Sequence, residues 1–243
     1  VLQVLSASAV YCFSLGDLWC EWNRLDEAEH LLVQGMEQIS GKRSVYGDDL
    51  LLGSLSLVRL HLARGASSPA EAQLDAFMSL AETRHFPLST RTVGDAVRAQ
   101  IALAQGRLSA AVSWADASGL SCDDAELPYP REREYLTFAR VRVAQGRENP
   151  SGPWLKETLH FLNRLQAEAE AKARMRSALE SLILQALTLD TQGKRDEALS
   201  TLHAALKRAE PEGYIRLFVD EGTPMRILLQ QRLPLPIRRR WNL

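Results

Sequence analysis

The chain has 243 residues, of which 46% are hydrophobic, and its 29 Lys+Arg against 30 Asp+Glu give a net charge of −1. A nearly neutral chain lacks the basic surface typical of nucleic-acid-binding domains, so this segment itself is not expected to bind nucleic acid. The sequence also has no apolar run of the roughly 18 residues that span a membrane, and no basic segment precedes an apolar one, so secretion is not expected. Its three cysteines, Cys12, Cys20 and Cys122, have no CxxC spacing, which excludes a zinc-type motif and favours a reducing, cytoplasmic setting.

The first predicted elements are two helices, at about 4–24 and 26–40, joined by a tight turn at Asn23. Small residues at fixed places let two antiparallel helices approach closely, while large ones fill the space beside them. The positions that follow this rule are Leu15, Gly16, Trp19, Ala28, Leu32 and Gly35. They fit the pattern of a tetratricopeptide (TPR) unit.

The same layout recurs along the chain. Predicted turns occur at intervals of 40 to 47 residues, and a small residue follows each turn five positions later. The predicted turns are at Asn23, Gly65, Gly106, Gly146 and Gly193, and the small residues are Ala28, Ala70, Ala111, Ser151 and Ala198. The period exceeds the 34 residues of a simple TPR, so longer helices and loops on a TPR-like plan are expected.

The repeat predicts an all-α protein with about five TPR-like antiparallel helix pairs. The later pairs are expected at 48–64 with 69–84, 90–105 with 108–118, 130–145 with 153–171, and 174–192 with 196–209. We expect residues 1–211 to form the repeat array. Residues 212–243 are expected to form short closing helices and a linker that contains Pro234, Pro236 and the basic tail 238–240.

The segment 212–225, EGYIRLFVDEGTPM, resembles the block that closes the helical repeats of MalT-like regulators in the LuxR family. Residues 21–28 and 139–146 also resemble repeats of that family. The resemblance implies a right-handed superhelix that senses an inducer and couples it to ATP-dependent oligomerisation and DNA binding. The last two activities would belong to domains missing from this segment, which has no GxxxxGK[ST] phosphate-binding loop.

No reaction is predicted. The five histidines are scattered without metal-ligand spacing, and no HExxH or GxSxG motif is present. We therefore expect no enzyme activity, no metal and no cofactor.

A ligand of such a superhelix would contact outward positions on the first helix of each pair, which line the concave face. Counting back from the turns gives a mixed polar row that could hydrogen-bond a sugar, an acid or a peptide. The row is Asp17, Glu21, Arg59, Gln100, Arg140 and Asp190. Each of these positions also fits an ordinary solvated helix residue.

Two functions remain open. One is a sensor domain of a bacterial transcriptional regulator, with a small-molecule inducer or a regulatory protein in the concave groove and oligomerisation of the full-length protein. The alternative is a stand-alone TPR scaffold that grips a peptide or helix. Neither function involves a membrane.

Overall fold

The computed structural model describes residues 2–39 and 47–231, and every regular element in these ranges is helical. The helices are α1 Leu2–Glu21, α2 Leu25–Ile39, α3 Gly47–Ala63, α4 Ser67–Thr83, α5 Leu88–Ala104, α6 Leu108–Ala117, α7 Glu132–Glu148, α8 Trp154–Ala171, α9 Met175–Thr191, α10 Arg195–Ala209, α11 Arg216–Val219 and α12 Gly222–Gln230. A single 3₁₀ turn at Tyr129–Arg131 precedes α7. None of the helices described is both long and apolar enough to cross a lipid bilayer.

The predicted all-α class is confirmed, and the predicted pairs α1–α2, α3–α4, α7–α8 and α9–α10 pack as expected. The chain divides into two compact units, Val1–Arg107 and Leu108–Leu243. In the first unit α1 packs on α2 and α3 packs on α4, with α5 against α3 and α4. In the second unit α6 packs on α7, α7 on α8, and α9 on both α8 and α10. The predicted domain boundary at 211 stays a prediction.

Seven helix ends share one turn geometry, in which a residue of positive φ and the residue after it donate the two backbone hydrogen bonds that close the last turn. The residues of positive φ are Asn23, Gly65, His85, Gly106, Ala173, Gly193 and Gly213, with φ between 54° and 76°. At Gly193, for example, the amide donates to Asp190 and the next amide, of Lys194, donates to Leu189, both at 3.0 Å. This pair of bonds is the Schellman motif, which satisfies carbonyls left open at a helix end.

The prediction that Gly146 forms a turn is wrong. Gly146 lies inside α7, and a Cβ atom built on it would come within 2.5 Å of Leu155 Cγ on α8. The glycine therefore allows close packing of two helices, whereas the chain reverses later, at 149–153. Ser151 lies exposed in that loop, so it does not take the packing role of Ala28, Ala70, Ala111 and Ala198, which are fully buried.

The predicted closing block forms α11 and α12, which pack on α9 within the second unit. Phe218 and Met225 anchor these short helices because both side chains are fully buried. The predicted linker and basic tail at 232–243 lie outside the described residues.

Candidate functional site

The first polar cluster joins two predicted site residues of α1 to one of α3. Arg59 Nη1 donates a 3.0 Å hydrogen bond to Asp17 Oδ1, and Arg59 Nη2 pairs with Glu21. Asp17 and Glu21 lie four residues apart, and therefore on the same face of α1. Arg59 thus bridges the first helices of two consecutive pairs.

Burial makes this bridge important for stability. The Glu21 side chain is only 2% exposed and that of Arg59 only 17%. A carboxylate with so little water around it needs a positive partner, because an unpaired buried charge is costly. The predicted row of outward, solvated residues is therefore, at this point, an internal ion-pair network.

The second polar cluster repeats the arrangement in the second unit. Arg140 of α7 donates a 2.8 Å hydrogen bond to Glu180 of α9 and a 2.7 Å hydrogen bond to Glu221, which directly precedes α12. One guanidinium thus connects the first helix of the fourth pair, the first helix of the fifth pair and the closing block.

The charges of this cluster stabilise one another. Burial alone would raise the pKa of Glu180, but Arg140 and Arg176 outweigh burial and lower that pKa to about 2. Burial would likewise lower the pKa of Arg140, but the carboxylates of Glu221 and Glu180 raise it above its ordinary value. Glu180 and Arg140 therefore both carry charge throughout the physiological pH range.

Arg147 lies seven residues after Arg140, which places it on the same side of α7, two turns further along. Its Nη2 atom is buried and has no hydrogen-bond partner in the described part of the chain. Burial lowers the pKa of Arg147, and the negative charges of Glu221 and Asp190 only partly oppose this. The described residues thus leave one buried donor of this guanidinium unsatisfied.

The remaining predicted residues lie at separate places. Asp190, near the end of α9, pairs with Arg195 at the start of α10. Gln100 lies on α5 and is partly buried.

The sequence prediction missed Glu180, Glu221 and Arg147. A usable signal was nonetheless present, because Arg140 and Glu180 are 40 residues apart and Arg59 and Asp17 are 42 apart. Opposite charges separated by one repeat length occupy neighbouring first helices in an array of this kind.

The first unit also contains an apolar cavity of about 450 Å³ between α2, α3 and α4. Its lining residues are Val33, Met36, Glu37, Ile39, Leu50, Leu57, Leu80 and Arg84. Such a cavity has the size of a small-ligand pocket and could take one or two apolar side chains.

Two other kinds of reactive site would be a metal-binding cluster and an activated thiol. In the described ranges, no group of three His, Cys, Asp or Glu residues is placed to hold a metal ion. Burial raises the pKa of the Cys122 thiol to about 11, so this thiol stays protonated at neutral pH.

Stacked antiparallel helix pairs, each in contact with its neighbours, define the class of TPR-like repeat modules. Within that class, the chain belongs to the family of MalT-like TPR regions, whose model matches residues 1–234. It is 28% identical over 226 residues to the HTH-type transcriptional regulator MalT of Klebsiella pneumoniae. The regulators of the same name from Cronobacter sakazakii and Yersinia pestis are 27% and 29% identical. Each match covers 90% of this chain, which spans only 23% of the length of each relative.

Proposed function

We propose that this region is the sensor of a transcriptional regulator. It binds a small-molecule inducer or a regulatory protein on the face formed by its first helices. It relays that binding to nucleotide-binding and DNA-binding domains elsewhere in the longer protein. The relatives named above are helix-turn-helix regulators of far greater length, which supports a regulatory role for a segment of this kind.

The observation that carries the proposal is the bridging of consecutive pairs by single arginines. Arg59 connects α1 to α3, and Arg140 connects α7 to α9 and to Glu221. A polar ligand that hydrogen-bonds one of these arginines or its carboxylates competes with the bridge. It thereby favours one arrangement of neighbouring helices over another, and such differential binding is what a relay requires.

The chemistry of the second unit indicates the kind of ligand. Arg147 has a buried donor without a partner in the described residues, and the negative charges of Glu221 and Asp190 act on its guanidinium. Donors and carboxylate acceptors side by side suit a molecule with several hydroxyl groups, or an acid with hydroxyl groups. We therefore place the inducer near Arg140 and Arg147.

The binding step is tested by thermal unfolding of the purified chain with pools of sugars, hydroxy acids and short peptides. A ligand that binds the folded state raises the midpoint in a concentration-dependent way. The shift should disappear in Arg147→Gln. It should persist in Arg98→Gln, whose arginine forms an exposed pair with Asp75. If no pool moves the midpoint, small-molecule sensing is wrong.

The relay step needs the longer protein. Ligand-dependent DNA binding should be present in the wild type and weakened in Arg140→Gln, which removes both bridges of that arginine. Unchanged ligand dependence in Arg140→Gln would show that the bridge takes no part in the relay.

The apolar cavity of the first unit favours a second candidate, a scaffold that binds a peptide through an apolar side chain. The parent reading frame separates the two functions. A phosphate-binding loop upstream and a helix-turn-helix downstream support the sensor, whereas a frame that encodes little more than this region supports the scaffold.

A further inference from the structure

The apolar cavity of the first unit changes in character from its interior to its rim. Its interior is formed by buried aliphatic side chains, among them Ile39 of α2 and Leu50 and Leu57 of α3. Its rim includes two charged side chains, the exposed Glu37 of α2 and the half-buried Arg84 directly after α4. A ligand in this cavity would therefore meet a dry apolar surface at one end and two charges at the other.

The helices produce this arrangement by their spacing. Val33 and Glu37 lie four residues apart on α2, and Leu80 and Arg84 lie four residues apart at the end of α4. Residues four apart lie on the same face of a helix. Each of these two helices thus brings an apolar side chain to the cavity and a charged one a turn further along, and both helices pack on α3.

The two rim charges have opposite signs, and this restricts the ligands that fit. A simple anion would be attracted by Arg84 but repelled by Glu37, and a simple cation would meet the reverse. Glu37 forms no ion pair within the described part of the chain, so its carboxylate can accept a cationic group. A molecule that carries both an ammonium and a carboxylate group, beside an apolar body, complements the cavity at every point.

We propose that this cavity binds a free α-amino acid with a large apolar side chain. The side chain enters between Leu50 and Leu57, the ammonium group approaches Glu37, and the carboxylate approaches Arg84. The volume of about 450 Å³ lies within the range of small-ligand pockets, about 300–1,000 Å³. Met36 also lines the cavity, and the flexible thioether of methionine adapts to side chains of different shape.

This proposal goes beyond the sensor function, because the cavity lies in the first unit and uses neither Arg140 nor Arg147. It also differs from the binding of a peptide through an apolar side chain. An internal residue of a peptide carries no backbone charge, so it would use only the apolar part of the cavity.

The test is calorimetric titration of L-leucine, L-methionine, L-phenylalanine and L-tryptophan into the 243-residue chain. At least one of them should bind, whereas L-alanine, which cannot reach the apolar interior, should not. The N-acetylated amide of the tightest binder lacks both charges. It should bind more weakly by about tenfold or more, because hydrogen bonds between charged groups are lost.

Variants of the rim locate the site. Glu37→Gln and Arg84→Gln should each lower the affinity by about tenfold or more. Glu82→Gln is the matched control, since Glu82 is an exposed carboxylate of α4 outside the cavity lining, and its affinity should equal that of the wild type. Val33→Trp should block the entrance, and Val33 is 42% exposed, so the melting temperature without ligand should stay close to that of the wild type.

Absence of binding by all four amino acids would overturn the proposal. Equal affinity for the N-acetylated amide would also overturn it, because the cavity would then serve the side chain of a peptide. Binding that persists in Glu37→Gln and Val33→Trp but disappears in Arg147→Gln would assign the amino acid to the second unit instead. The sensor proposal depends on Arg147, so a failure at the cavity leaves that proposal standing.

Discussion

Arg140 and Glu180 lie 40 residues apart in sequence and form a 2.8 Å ion pair between α7 and α9. Arg59 and Asp17 form the same kind of bridge between α3 and α1 at 3.0 Å. Each bridge links the first helices of two consecutive pairs. Four residues of the predicted ligand row, Asp17, Glu21, Arg59 and Arg140, thus take part in contacts that hold neighbouring repeats together.

The pH dependence of stability tests the Arg140–Glu180 pair. The pKa of Glu180 is about 2 in the folded chain, below its ordinary value of 4.5. The charged carboxylate of Glu180 therefore stabilises the folded chain by about 3 kcal/mol. This contribution is complete above pH 4.5 and is lost as the pH falls towards 2. The free energies of unfolding of the wild type and Glu180→Gln, measured with urea, should differ most above pH 5 and become similar near pH 2.

The control for this measurement is Glu168→Gln, which removes an exposed pair with Lys172. This variant should stay within about 0.5 kcal/mol of the wild type at every pH. A difference between wild type and Glu180→Gln that does not change with pH would contradict the charged pair.

Arg59→Ala should destabilise the first unit by about 3 kcal/mol, because it leaves the carboxylate of Glu21 buried without this partner. Arg64→Ala, directly after the same helix, should cost less than about 1 kcal/mol, since the Asp26 and Glu29 carboxylates that pair with Arg64 are exposed. Chemical denaturation of both variants measures the contrast. Equal losses of stability in the two variants would show that burial of Glu21 does not matter. Adding Glu21→Gln to Arg59→Ala should recover part of the lost stability.

The turn geometry predicts opposite effects at two equivalent positions. Ala173 and Gly193 both have positive φ, 54° and 76°, at the same place in the Schellman motif. Gly193→Ala should cost about 1 kcal/mol and Ala173→Gly should gain a similar amount, because a Cβ atom is strained in this conformation. Thermal unfolding tests both variants, and a loss of stability in Ala173→Gly would count against the turn assignment.

Gly146→Ala should destabilise the second unit by about 1–3 kcal/mol, even though alanine is the better helix former. The reason is contact with Leu155, whose Cγ would lie 2.5 Å from the new Cβ atom. The double variant with Leu155→Ala should lose less than the sum of the two single losses. Simple additivity would show that Leu155 does not limit the space at Gly146.

Arg147→Met should keep or raise the stability of the chain, by up to about 2 kcal/mol, because it removes a buried donor that has no partner. The lowered pKa of Arg147 also predicts a gain in stability, since burial in the folded state disfavours the charged guanidinium. A residue that costs stability and yet is needed for ligand binding is typical of a functional site. A marked loss of stability in this variant would make Arg147 a structural residue.

The helix pairs could be predicted from the sequence because each is encoded locally. Apolar periodicity located the helices, and the small residue five positions after the turn is fully buried at Ala28 and Ala198. Gly146 misled the prediction because a glycine serves equally well in a turn and at a close contact between helices. The helix ends near 84 and 171 were predicted, but the positive φ of His85 and Ala173 was not, because no glycine or asparagine marks these turns.

The candidate site was predictable only in part, because its partners come from different repeats. The polar row contained Asp17, Glu21 and Arg59, but nothing local indicates that these three residues pair with one another. Glu221 lies 81 residues from Arg140, and only the packing of α11 and α12 on α9 brings it close. The unsatisfied donor of Arg147 depends on burial, which a sequence does not display.

We propose that the first helices bind a ligand near Arg140 and Arg147. The direct measurement is calorimetric titration of the strongest compound from the thermal screen into the wild type, Arg147→Gln and Arg98→Gln. The account predicts that Arg147→Gln lowers the affinity by about tenfold or more, the cost of losing a hydrogen bond to a charged donor, while Arg98→Gln binds like the wild type. Equal affinity in all three proteins would contradict it.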